Sequence, residues 1–217
     1  MESEKALPIL SPIEIRVLGS LMEKSKTTPD YYPMTLNSLT AACNQKSSRH
    51  PVVEYDEGAV VIALNSLQGH SLVAMAVGGT SRTNKYKHNF TTVYPLSEGE
   101  VATLCLLFLR GPLTPGEINS NSARLHEFHS IESVHEVLNK LSQTQPPFVK
   151  ELPKKAGQKE VRYCHLLGDV SEISEPEAAQ EPARKSVSDL ESRLSIVEKE
   201  LTEVREKLDK LLKELNG

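Results

Sequence analysis

The chain lacks the features that assign many proteins to an enzyme or membrane class. It has no tryptophan, 5% aromatic residues and 3 cysteines among 217 residues. No apolar run approaches the roughly 20 residues that cross a bilayer, and Met1–Lys5 lacks the basic-then-apolar pattern of an export signal. Neither a glycine-rich phosphate loop nor a nucleophile elbow is present. We therefore expect a cytoplasmic protein, with no membrane partner, that is not an enzyme and has no cofactor.

The thiols and imidazoles do not form a recognisable metal motif. The cysteines are widely spaced and odd in number, which favours reduced, buried thiols over disulfides: Cys43, Cys105 and Cys164. A zinc site is suggested by three histidines that lie close together in the sequence: His126, His129 and His135. Their spacing is not the i, i+4 of a metalloprotease helix, and no cysteine lies nearby. We expect no metal site.

The chain contains two copies of one pattern. Three markers recur in the same order, residues 10–21 at 96–107, residues 64–67 at 138–141, and residues 85–88 at 162–165. The spacing between copies changes along the chain, as it does when two modules carry loops of different length. Small repeated modules usually bind other molecules and rarely catalyse reactions.

The first copy predicts three helices and a β-hairpin. Ser11 and Pro12 begin a helix that runs to about Ser25, because serine caps helix N-termini and proline suits the first helical position. Thr35 caps a second helix, and Asp56 caps a third that runs to about residue 68, where Gly69 ends it. The predicted strands are 72–77 and 86–93.

The second copy repeats this order. The predicted helices are residues 97–109, a helix that starts at the Thr114–Glu117 capping box, and residues 130–143. The predicted strands are residues 148–152 and 160–166, with a tip at residues 154–159. The fold class we predict is mainly α with small β-hairpins (α+β): two tandem winged helix-turn-helix domains at 8–95 and 96–168, followed by a C-terminal coiled-coil helix.

Beyond the modules, residues 169–186 have the composition of a flexible acidic linker. Residues 187–216 follow a heptad pattern typical of a coiled coil, which predicts a homo-oligomer joined through Leu190, Leu194, Val197, Leu201, Val204, Leu208 and Leu211. The alternative is a single amphipathic helix that folds back on the modules. Much of the chain's acidity lies here, since residues 171–217 hold 8 Lys/Arg and 12 Asp/Glu.

The block from Thr35 to Val52, with its Ala42-Cys43-Asn44-Gln45-Lys46 core, resembles the YceH-like family of bacterial proteins. Leu109–Glu117 and Arg162–Leu166 are similar to further marks of that family. The resemblance covers essentially the whole chain and implies a tandem winged-helix fold in a bacterial cytoplasm. Asn119 and Asn121 stand where the family usually has arginines, so an anionic contact by those arginines is not implied here.

The first hairpin is the leading candidate for contact with double-stranded DNA. No acidic residue occurs from Gly58 to Ser97, and the hairpin carries Arg82, Lys85, Lys87 and His88. A basic hairpin tip can reach phosphate or the minor groove. The polar run before the third helix adds further candidates: Asn44, Gln45, Lys46 and Arg49. This run also fits a turn whose side chains cap helices, and the sequence favours neither interpretation.

The predicted third helix of the first copy is poorly suited to base recognition. It has no Arg or Lys between Asp56 and His70, although arginine to guanine is the commonest specific contact. We therefore predict a DNA-associated regulator or organiser with weak sequence readout. The alternative is an adaptor that binds other proteins through its winged helices.

Overall fold

The computed structural model describes residues 6–76, 83–154, 158 and 160–169. These residues belong to one compact unit. The predicted coiled coil lies outside the described residues, as does the predicted linker after Asp169. Both therefore stay predictions.

The first copy forms helices and strands close to those expected. They are α1 (Pro12–Thr27), β1 (Met34–Thr35), α2 (Leu36–Cys43), α3 (Glu57–Gly69), β2 (Val73–Met75), β3 (Lys85–His88) and α4 (Phe90–Val93), with a 3-10 turn at Pro29–Tyr31. Ser11 and Glu14 form a capping box at α1. Thr35 and Asp56 accept backbone hydrogen bonds at the starts of α2 and α3. Thr35 and Asp56 each satisfy an N–H that the helix itself leaves unpaired.

The second copy forms α5 (Glu98–Arg110), α6 (Pro115–Ser122), α7 (Ile131–Gln143), β4 (Val149–Glu151) and β5 (Tyr163–His165). Ser97, Thr114 and Ser130 cap its three helices. The mixed α and β composition with small antiparallel sheets is therefore confirmed.

The sheets of the two copies share one register. The first has the strand order β1-β3-β2 and pairs Val73 with His88. The second pairs Val149 with His165 between β4 and β5. A single bridge from Leu113 to Tyr163 takes the place that β1 has in the first copy, where Met34 pairs with Tyr86. The repeat in the sequence is therefore a repeat in three dimensions.

The strand predicted over residues 86–93 is wrong beyond His88. The backbone N–H of Asn89 donates to Leu72 O at 2.7 Å, and the chain then turns into α4. Phe90 is fully buried, with its ring 5.9 Å from the ring of Phe108 in the second copy. Burial of this side chain in the core therefore takes the place of the strand predicted over residues 89–93. The short strand β1 was also not predicted.

The two copies share one hydrophobic core, centred where α1 packs against α5. Leu18 and Leu21 of α1 are fully buried, as are their counterparts Leu104 and Leu107 of α5. The helices approach closely at Gly19, where a Cβ atom would lie 3.0 Å from side-chain atoms of Phe108 and Leu109. The domain boundary between residues 95 and 96 stays a prediction, but the core is continuous across it.

Candidate functional site

The first hairpin presents two lysines on one face of β3. Lys85 pairs with Thr35 and Lys87 with Ala74, and both lysines are exposed. Side chains two residues apart in a strand lie on the same face, so the two ammonium groups share a surface. Arg82, the third predicted cation, lies outside the described residues.

These lysines are unpaired within the part of the chain that the structure describes. The described ion pairs involve other cations, so neither Lys85 nor Lys87 has a described carboxylate within 4.0 Å. The same holds for Lys46, which is exposed just after α2. Three of the predicted contact residues therefore present accessible positive charge.

His88 is half-buried and has internal contacts, although it neighbours the lysines in sequence. Its Nε2 lies 3.1 Å from Ser25 Oγ, and its backbone N–H donates to the Tyr32 hydroxyl at 2.6 Å. Burial lowers the pKa of His88 to about 4, and the charge of Lys26 acts in the same direction. A neutral, half-buried imidazole does not offer positive charge to a phosphate, which corrects the expectation that His88 contacts DNA.

The polar run of residues 44–49 is used mainly for internal hydrogen bonds. Asn44 donates to Tyr55 O and accepts from Tyr55 N, both at 2.8 Å. Gln45 Oε1 accepts from Lys24 Nζ at 3.3 Å. Both groups are partly buried. The geometry favours the structural interpretation for Asn44 and Gln45, and leaves Lys46 as the exposed cation of the run.

Arg49 is buried, which corrects the expectation that it contacts DNA. Its side chain is 0% exposed and forms an ion pair with Glu23 of α1. Its Nε also donates to Ala42 O at 3.2 Å, at the end of α2. A guanidinium used in this way ties the connection before α3 to α1, and none of it is available to a phosphate.

The outer face of α3 carries little charge that could contact a nucleic acid. Ile62 is 72% exposed near its middle, and Asn65 and Ser66 are exposed one turn later. Glu57 is exposed at its start, where Asn37 donates to it at 3.4 Å. An apolar and amide surface gives little direct reading of bases.

The described residues contain no group of three or more His, Cys, Asp or Glu placed to hold a metal ion. The ring of His126 instead packs edge-on against Phe128, with centroids 4.8 Å apart. The three cysteines are free and buried. Burial raises the pKa of each thiol, which disfavours the reactive thiolate. No helix in the described ranges has the length and apolarity needed to cross a bilayer.

Two charged residues of α1 with internal partners were not anticipated from the sequence: Arg16, which is buried, and Glu23, which is half-buried. Arg16 is 4% exposed, and its guanidinium donates to Cys43 O at 3.2 Å and to Pro51 O at 2.6 Å. Arg16 and Glu23 lie seven residues apart, two helical turns, which is a signal that both could lie on one face. Nothing in the sequence indicates that this face is buried.

Comparison with known proteins agrees with the family resemblance. A family model described as "Protein of unknown function, DUF480" matches residues 10–158. A UPF0502 protein of Opitutus terrae is 47% identical over 180 residues, covering 82% of this chain and 78% of that protein. A UPF0502 protein of Shewanella loihica is 41% identical over 210 residues, covering 94% and 98%. The resemblance seen in the sequence is confirmed: the chain belongs to the DUF480/UPF0502 family of bacterial proteins.

Proposed function

We propose that the protein is a non-enzymatic DNA-associated regulator or organiser built from two winged-helix modules. The first copy supports this fold by its order of helix, short strand, two helices and two strands, with the short strand beside the last one. The second copy follows the same order, with a single bridge in place of the short strand. A winged helix commonly contacts DNA through a helix and a hairpin.

The observation that carries the proposal is the pair Lys85 and Lys87. They are exposed on one face of β3 and unpaired within the described residues. Positively charged lysine side chains attract the negative phosphate backbone of DNA, but such contacts do not distinguish one base sequence from another. Arg82 and Lys46 are proposed to extend the same contact, while Arg49 and His88 support the module from inside.

The proposed binding has weak sequence preference, because α3 contains no Lys or Arg. We propose that the C-terminal heptads join several chains. Joining chains multiplies weak contacts by raising the effective concentration of the second site. The protein would then act by occupying and organising DNA rather than by recognising one operator.

The test compares two variants of the full chain that lose the same charge. Lys85→Ala/Lys87→Ala removes the proposed contact, and Lys150→Ala/Lys154→Ala removes two exposed lysines from the second hairpin. Affinity for a 30-base-pair duplex is measured by fluorescence anisotropy at low salt. The first variant is expected to bind at least fivefold more weakly than the wild type, and the second within twofold. Equal affinities of all three proteins would contradict the proposal.

A second candidate function, a protein-binding adaptor, is favoured by one observation. Ile62 is 72% exposed on α3, and Val52 is 54% exposed before it. Exposed apolar side chains on a helix can form the centre of a protein interface. Pull-down from cell extract before and after nuclease treatment separates the two functions. A partner that survives nuclease and is lost in Ile62→Ser supports the adaptor.

A further inference from the structure

A cavity of about 130 Å³ lies where the two copies meet. Residues of α1, the connection before α3, the end of α5 and the region of β5 line it. Much of its wall is apolar, including Ile15 and Phe108. The wall also carries polar side chains, which include Arg16, Tyr55 and His165. A hydrophobic cavity with a few polar groups is the usual form of a small-molecule site.

Arg16 supplies a buried positive charge to this wall. It has five N–H donors, and its hydrogen bonds within the described residues go to two backbone carbonyls, those of Cys43 and Pro51. Neither carbonyl carries a formal charge. No described carboxylate forms an ion pair with Arg16. Burial lowers the pKa of Arg16, and the charge of Arg49 lowers it further.

Among the described residues, no carboxylate lies within 4.0 Å of this charge. Glu23 is paired with Arg49, at 2.6 Å, and also lies 3.3 Å from Lys24. The carboxylate of Glu14 is held at the start of α1 by Ser11, whose N–H donates to it at 2.6 Å. Asp169 lines the exposed end of the cavity. A buried charge of this kind costs free energy unless an opposite charge meets it.

His165 supplies a second polar group to the wall, an imidazole nitrogen without a hydrogen-bond partner among the described residues. It is 7% exposed, and its Nδ1 is buried with no hydrogen-bond partner among the described residues. The ring packs edge-on against Phe108, with centroids 5.0 Å apart, which fixes its orientation. Burial lowers the pKa of His165 to about 4. The imidazole is therefore neutral near pH 7 and has one N–H to donate.

We propose that this cavity binds a compact organic monocarboxylate, with its carboxylate on Arg16 and its apolar body against Ile15 and Phe108. The anion offsets the buried guanidinium, and a carboxylate is the group that an arginine fork matches best. The volume limits the ligand, because an engineered cavity of roughly 150 Å³ accommodates benzene. This cavity is slightly smaller, so the ligand class is a small acid whose apolar body is no larger than a benzene ring, and benzoate is the upper limit. Because both copies form the wall, its binding links them.

The first experiment compares two probes that share a ring and differ in charge. The full-length protein is labelled with ¹⁵N-glycine, and benzoate or benzamidine is titrated to 10 mM. Gly111 and Gly168 line the cavity, whereas Gly69 at the end of α3 does not. Benzoate is expected to shift the amide signals of Gly111 and Gly168 along a saturating curve and to leave Gly69 in place. Benzamidine, a cation, is expected to cause no such shift.

The second experiment uses Arg16→Gln, with Arg124→Gln as the control for loss of an exposed arginine. Arg16→Gln is expected to weaken benzoate binding by about tenfold or more, because it removes a charge-assisted contact. Arg124→Gln is expected to bind as the wild type does. The proposal is overturned if benzoate and benzamidine shift the same glycines equally, or if benzoate shifts neither Gly111 nor Gly168. These probe results need only the wild-type protein, so they decide the matter even if Arg16→Gln fails to fold.

Discussion

Arg49 and Glu23 form a bidentate ion pair inside the protein, with Nη1–Oε1 at 3.1 Å and Nη2–Oε2 at 2.6 Å. The pair joins the connection before α3 to α1. Burial acts to raise the pKa of Glu23, but Arg49 and Lys24 more than offset it and the net pKa is lowered. The pair is thus charged across the neutral pH range.

Removing one partner of this pair is expected to destabilise the protein strongly. Glu23→Gln leaves the Arg49 guanidinium buried without its counter-charge, which typically costs about 3 kcal/mol in the free energy of unfolding. Glu54→Gln, an exposed position, is expected to change it by less than about 0.5 kcal/mol. Urea unfolding of the two variants gives the comparison. Similar midpoints for both would show that the pair does not hold the connection in place.

Glycine-to-alanine substitution is expected to affect stability differently at Gly19, where α1 crosses α5 closely, and at Gly69, at the end of α3. Gly19→Ala places a methyl group 3.0 Å from Phe108 and Leu109 atoms and is expected to lower stability by about 1–3 kcal/mol. Gly69→Ala meets nothing within 4 Å at the end of α3. It is expected to be neutral or to stabilise by up to about 1 kcal/mol. Thermal unfolding of both variants measures this, and a stabilised Gly19→Ala would contradict the observed helix packing.

The buried histidines predict a loss of stability below neutral pH. Burial lowers the pKa of His88 and of His165 to about 4, well below the 6.5 of a free imidazole. The unfolded chain therefore takes up protons first as the pH falls from 6.5 towards 4, and the stability that the neutral histidines contribute above pH 6.5 is lost over that window. Each is expected to account for roughly 1–2 kcal/mol between pH 7 and pH 5.

Urea unfolding at several pH values tests this expectation. His88→Gln and His165→Gln are each expected to remove about half of the change between pH 7 and pH 5. Variants that keep the full pH dependence of the wild type would show that these imidazoles do not cause it.

The heptad pattern predicts that the C-terminal segment holds the oligomer together. Leu194→Asp/Leu201→Asp places four negative charges for every two chains in the predicted apolar seam, which coiled-coil packing does not tolerate. Light scattering coupled to size-exclusion chromatography is expected to show a multiple of 24.0 kDa for the wild type and 24.0 kDa for the variant. A wild-type protein that elutes as a monomer would instead favour a helix folded back on its own chain.

Much of the helical framework could be predicted because it depends on local chemistry. Ser11, Thr35, Asp56, Ser97 and Thr114 begin helices where the sequence predicts it, since each cap interacts with N–H groups two or three residues away. The repeat was predictable for the same reason. Each copy carries its own caps and its own pattern of apolar residues.

What the sequence did not reveal depends on partners far away in the chain. Arg49 belongs to a polar run whose composition is typical of an exposed loop. Its ion-pair partner, Glu23, lies 26 residues earlier in the chain. The strand β1 forms by pairing with β3 some 50 residues later. Strand pairing beyond His88 stops because Phe90 is buried beside Phe108 of the other copy. Such contacts are properties of the packed core, and no local pattern encodes them.

The salt dependence of duplex binding tests the proposed role of Lys85 and Lys87 most directly. Each lysine that neutralises a phosphate adds about 0.9 to the slope of log affinity against log salt concentration. Lys85→Ala/Lys87→Ala is expected to make this slope shallower by roughly 2, while Lys150→Ala/Lys154→Ala is expected to leave it unchanged. An unchanged slope in the first variant, or wild-type protein that does not bind duplex at low salt, would contradict the proposed role.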